Sequence, residues 1–169
     1  MLVQGGSVNI LSTVLVYGLF ESLSICGLLL AIGWFNPRIM LHDYPKDIRQ
    51  QVPPKTPAEK RQTWYWGTAL LLVALAFPVA AALSVDALTH RFLDVFLSAF
   101  GVLFLFDVVD WLLIDWLIFC TITPAFIVLA GTEGMAGYKN YAMHFRGFLI
   151  GTVLSVVVGL VIAVIMIVV

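Results

Sequence analysis

"FLDVFLSAFGVLFLFDVVDWLLIDWLIFCTIT", Phe92 to Thr123, decides how many times this chain crosses a membrane. It holds no proline, and its only glycine is Gly101. Two spans in this stretch would need a turn that the residues do not offer. It therefore reads as one helix. Its 32 residues would reach about 48 Å, against a hydrocarbon core of about 30 Å. Such a helix must tilt, overhang the bilayer or bend near Pro124.

The rest of the chain supports a membrane setting. Of its 169 residues 62% are hydrophobic and 11% charged, and the mean hydropathy is +1.03. Soluble domains are near half apolar and about a quarter charged. So small a globule cannot bury this excess, so lipid must cover the remainder. A net charge of -1 argues against a nucleic-acid binder. Cys26 and Cys120 form no disulfide framework or ligand motif and read as small buried residues. No Lys or Arg precedes the first apolar run, and no convincing cleavage site follows it, so that run reads as a permanent span.

Outward from the third run, the expected architecture is all-α. It is a single transmembrane domain over residues 1–169, with spans at about 8–35, 64–83, 92–123 and 147–169 and loops at 36–63 and 124–146. The first loop carries Pro37, Pro45, Pro53, Pro54 and Pro57, which limit it to short helical pieces. "TPAE", Thr56 to Glu59, is a helix start. Thr56 caps, Pro57 suits the first turn, and Glu59 reaches back in a capping box. That helix is expected to run into the second span, where Trp64, Tyr65 and Trp66 suit an aromatic belt and Pro78 predicts a kink. Before the last span, Tyr138, Tyr141, Ala142 and Phe145 share one face of a short helix lying on the membrane surface. The last span carries Gly147, Gly151, Ser155, Gly159 and Ala163, each four apart. This small-residue stripe suits close packing of helices, within the chain or against another subunit.

Eight of the nine Lys and Arg fall in the first and third loops; Arg91 alone lies in the connector "SVDALTHR". The positive-inside rule makes those loops cytoplasmic and places both termini outside, in a cell membrane of bacterial type.

Four acids lie deep within spans, past Asp94 at the start of the third, and a central Asp costs about 2.5 to 3.5 kcal/mol on the insertion scale. With Asp107 at 0° on an α-helical wheel, Asp110 falls at about 300° and Asp115 at about 80°. The three share one broad face, expected to point into the bundle. Glu21 sits at the depth of Asp107, and the two are expected to meet, with Asp110 and Asp115 nearer the cytoplasmic mouth. No Lys, Arg or His lies inside a span. The acids must be protonated, share protons, or hold a cation. His42 beside Asp43, and His144 in "AMHFRG", are weak metal candidates; an interfacial position is the simpler reading of both histidines. No HExxH, nucleophile elbow or phosphate-binding glycine loop is present.

Four spans with one acid in the first resembles, in outline only, the small multidrug resistance transporters. This chain is longer, has a large Pro-rich loop and adds an acidic cluster in its third span, so no residue role is carried across. The leading expectation is a small transporter or channel subunit binding protons or a cation through Glu21, Asp107, Asp110 and Asp115. Four helices barely enclose a pathway, so a homo-oligomer or another membrane-protein partner is expected. The alternatives are a membrane-embedded enzyme acting on a lipid-like substrate at the cytoplasmic leaflet, with the aspartates as bases or Mg²⁺ ligands, or a non-catalytic subunit.

Overall fold

The computed structural model of the chain describes residues 9–85 and 92–168. Within them every regular element is helical. In chain order these are α1 (Ile10–Phe35), a 3-10 stretch Pro37–Asp43, the short α2 (Lys46–Gln51), α3 (Pro57–Leu83) and α4 (Phe92–Val109). A π-helical continuation of α4 (Asp110–Ile122) follows, then 3-10 turns at Ala125–Ile127 and Ala136–Lys139, and finally α5 (Tyr141–Val168). Four of these helices are long and apolar enough to cross a membrane, and the third of them runs unbroken from Phe92 to Ile122. The expected span limits at Val8 and Val169, and the connector from Asp86 to Arg91, lie outside the described residues.

The capping box forms as read: the Glu59 amide donates to Thr56 Oγ1 at 3.2 Å and the Thr56 amide to Glu59 Oε2 at 2.7 Å. α3 then continues through a buried Pro78 to Leu83. Trp64 and Tyr65 point outward near its start, as an aromatic belt requires.

One expectation is corrected. No separate surface helix carries Tyr138, Tyr141, Ala142 and Phe145. Asn140 leaves helical geometry (φ -83°, ψ 67°), and its side chain accepts the Met143 amide at 3.0 Å, which caps α5. Tyr141 to Phe145 are thus the first turns of the last span. Tyr138 stays behind in a 3-10 turn and is buried. Its hydroxyl accepts the Leu129 amide at 2.9 Å and bonds Thr132 Oγ1 at 2.7 Å.

α4 is the centre of the bundle and packs against α1, α3 and α5. α1 and α4 run parallel: a Cβ on Gly18 would meet Leu105 at 2.8 Å, and one on Gly101 would meet Val14 at 2.6 Å. The small stripe packs within the chain. A Cβ on Gly151 would collide with Asp107, and one on Gly159 would meet the Phe100 backbone at 3.2 Å. Ala163 is buried with Val95 and Ala99 of α4. Gly147 alone among the stripe's glycines has open space beside it.

The two loops fold together over one end of the bundle. Leu41, Tyr44 and Ile48 from the first loop pack with Leu129 and Tyr138 from the second. Tyr44 donates to the Ile127 carbonyl at 2.7 Å. Much of the basic charge is spent on architecture. Arg38 holds Glu59 at 2.6 Å and the Pro53 carbonyl at 2.9 Å. Lys55 donates to the Ile39 carbonyl and to Thr63. Lys139 donates to the carbonyls of Cys120 and Thr121 at 2.6 and 3.1 Å and to Thr123 Oγ1 at 2.8 Å. It thereby closes the end of the third span, where Thr123 turns left-handed (φ 50°, ψ 62°).

Candidate functional site

The site begins with a change of winding. At Asp110 the third span passes from α to π geometry, in which each amide bonds five residues back instead of four. The side chains record it. Trp111 and Trp116, five apart, meet edge to face with ring centroids 4.6 Å apart, and Thr121 donates to the Trp116 carbonyl at 2.7 Å. On an α-helix residues five apart point about 140° away from each other. The wider π turn brings such residues closer to one side. Asp110 and Asp115 are such a pair, and both face one cavity.

That cavity has a volume of about 600 Å³, within the roughly 300–1,000 Å³ of small-molecule sites. The π segment forms its floor with Asp110, Ile114, Asp115 and Ile118; α1 contributes Leu29 and Leu30. The loop segments Met40–Tyr44 and Phe126–Ile127 cover it, and α5 closes it with Met143, His144, Arg146, Gly147 and Ile150. Ile150 is also 63% exposed on the outside of α5, so the cavity reaches the apolar outer surface of the bundle.

Its polar end has a defined bonding pattern. His144 is buried, and its Nδ1 lies 2.8 Å from Asp115 Oδ1. Nδ1 carries the proton toward that carboxylate in the neutral ring, which leaves the Nε2 lone pair free. Nε2 has no hydrogen-bond partner. Asp110 Oδ1 is likewise buried and unpartnered. His42 Nε2 lies 3.3 Å from Asp43 Oδ2. Among the described residues Arg146 makes no ion pair. Asp43 is exposed to the cavity mouth, yet protein surrounds it. That desolvation holds its carboxyl above the usual carboxylate range, against the pull of His42 and Lys55. Burial also raises the Tyr44 phenol and lowers the Lys55 ammonium.

The four intramembrane acids therefore separate. Asp110 and Asp115 share the cavity. Asp107 turns to α5, where its Oδ2 accepts from Thr152 at 2.9 Å, and Gly151 leaves room for it. Glu21 is fully buried, with both carboxyl oxygens unpartnered. The parallel contact of α1 with α4 gives Glu21 and Asp107 similar depth, but no hydrogen bond joins them, and neither lines the cavity. Asp107 takes its hydrogen bond from Thr152 of α5, and Glu21 takes none. His42, Asp43 and His144 do gather at one cavity. Among the described residues, though, no three His, Cys, Asp or Glu side chains are arranged to hold a metal ion.

Sequence reading missed Arg146 as a cavity residue and placed His144 at the interface. A signal was present: "HFRG" ends on Gly147, the first residue of the small stripe, one turn before Gly151 closes on α4. Compared with protein-family models, curated proteins and solved structures, the chain matches none.

Proposed function

We propose that this protein is a membrane-embedded enzyme that takes a lipid-like molecule from the cytoplasmic leaflet and uses His144 as a general base. The carrying observation is the cavity of about 600 Å³ with apolar walls and the Asp115–His144 pair at its polar end. The lopsided distribution of Lys and Arg supports the cytoplasmic side. In this reading the apolar walls take the chain of the substrate. His144 Nε2 accepts a proton from a headgroup hydroxyl or amine, and Asp115 fixes the tautomer and stabilises the resulting imidazolium. Arg146 is available for an anionic group.

The test has two arms. Lipids retained by the purified protein are identified by mass spectrometry, in wild type and in Gly147→Trp, which fills the cavity from α5. Vesicles of cellular lipids carrying wild type or His144→Asn are then assayed for turnover products. Retained lipid lost in Gly147→Trp, with products lost in His144→Asn, supports the proposal. Wild type without retained lipid or product overturns it.

The transport reading keeps one specific observation: Glu21 is buried in a span with no partner for either oxygen, as a proton-carrying acid would be. Proton or cation flux in liposomes that is abolished by Glu21→Gln and Asp107→Asn would favour it over the enzyme.

A further inference from the structure

We infer that the cavity recognises a zwitterionic headgroup, a phosphate joined to a primary ammonium, carried on an apolar chain. This rests on the amphiphile-binding part of the function proposed above and names the class of ligand.

The inference comes from matching polar partners around the cavity. Asp115 accepts from His144 at 2.8 Å, and Asp43 has His42 at 3.3 Å. Two ionisable side chains remain without such a partner. Asp110 has a buried carboxyl oxygen without a donor. Arg146 has no ion pair among the described residues. Both line the same cavity, and they do not satisfy each other. A buried acceptor left without a donor is costly, and a guanidinium is suited to the paired oxygens of a phosphate. A ligand that serves both must offer N–H donors on a cation to Asp110 and anionic oxygens to Arg146.

Simpler headgroups leave one of the two unmet. A plain anion meets Arg146 but faces the carboxylates of Asp110, Asp115 and Asp43. A plain cation meets Asp110 but faces Arg146. Such mismatches are how a site rejects the wrong partner. The apolar part has its own place, against Leu29, Leu30 and Ile118, with a route outward past Gly147 and Ile150. Gly147, with nothing near its Cβ position, leaves space for a ligand beside α5.

The experiment uses the purified full-length chain in a maltoside detergent. Binding is measured for lysophosphatidylethanolamine, lysophosphatidic acid, dodecylamine and free phosphoethanolamine. Wild type should bind the first at least about tenfold more tightly than each of the others, a margin of about one headgroup ion pair. Asp110→Asn should weaken lysophosphatidylethanolamine about tenfold while leaving lysophosphatidic acid as tight or tighter. Arg146→Gln should weaken both phosphate ligands and spare dodecylamine. Arg146 is on the exposed side of α5, so this variant reads recognition even if Asp110→Asn folds poorly. Equal or tighter binding of lysophosphatidic acid by wild type overturns the headgroup assignment and leaves the amphiphile cavity standing. Free phosphoethanolamine binding as well as the lysolipid overturns the requirement for a chain. Binding of none of the four overturns both this inference and the amphiphile-binding reading beneath it.

Discussion

At the scale of single residues, the glycines of α5 separate packing from space. Gly151 and Gly159 lie against α4, while Gly147 faces the cavity. Gly151→Ala should destabilise the protein by about 1–3 kcal/mol, the usual cost of overpacking, because its methyl group displaces the Asp107 carboxyl. Gly147→Ala should be neutral or stabilising by up to about 1 kcal/mol, since it only trades glycine for a better helix former. Thermal unfolding in detergent compares the two, and equal destabilisation would remove the distinction. Asp43 gives a pH test. Its carboxyl is held above its ordinary value by desolvation, so the folded state favours the protonated form. Stability from this source is fully present below the unfolded pKa of about 4 and is lost as pH rises through the folded value. Asp43→Asn should flatten that fall and raise the unfolding temperature at pH 8 relative to wild type. The gain should stay below about 3 °C, because the exposed side chain is partly screened. An unchanged pH profile would show that Asp43 is solvated like any surface acid.

At the scale of elements, the third span depends on a residue far from it in sequence. Lys139 donates three hydrogen bonds around the end of the π segment. A helix end leaves its last carbonyls without partners, and a cation there also meets the negative end of the helix dipole. Lys139→Met should therefore cost about 1.5–3 kcal/mol, as for hydrogen bonds to a charged donor. It should also increase amide hydrogen exchange from Cys120 to Thr123, measured by mass spectrometry. Exchange that rises evenly over the whole chain would mean global destabilisation without a local clasp. Sequence reading could foresee the Thr56–Glu59 box, because both partners lie within four residues. It could not foresee this clasp or the Asp115–His144 contact, which join the π segment to the loop and helix that follow. The wheel assumed 3.6 residues per turn throughout, and nothing in the pattern Asp107, Asp110, Asp115 announces where α winding gives way to π.

At the scale of the whole molecule, four apolar helices and a proline-rich loop after the first were legible because hydropathy and proline are strong, local signals; that the two loops pack together over one end was not. The arrangement inside the bundle was less so. The small stripe left contacts within the chain and between chains both open, and the structure uses it within. The orientation proposed from Lys and Arg has a direct check. A Thr56→Cys variant in intact cells should resist a membrane-impermeant thiol reagent and react only after the cells are opened. Labelling from outside would invert the proposed topology and move the cavity to the other leaflet.

The π winding has a consequence for how this protein tolerates change over generations. Asp110 and Asp115 share a cavity in a segment whose wider turn brings residues five apart toward one side. On ordinary α winding, four positions bring side chains to the same face. Loss of one codon for the lipid-facing Leu112 or Leu113 would thus let the backbone relax to α and still keep the two carboxylates aligned. Gain of one codon would not. Descendants of this gene should shed a residue at this place more readily than they add one.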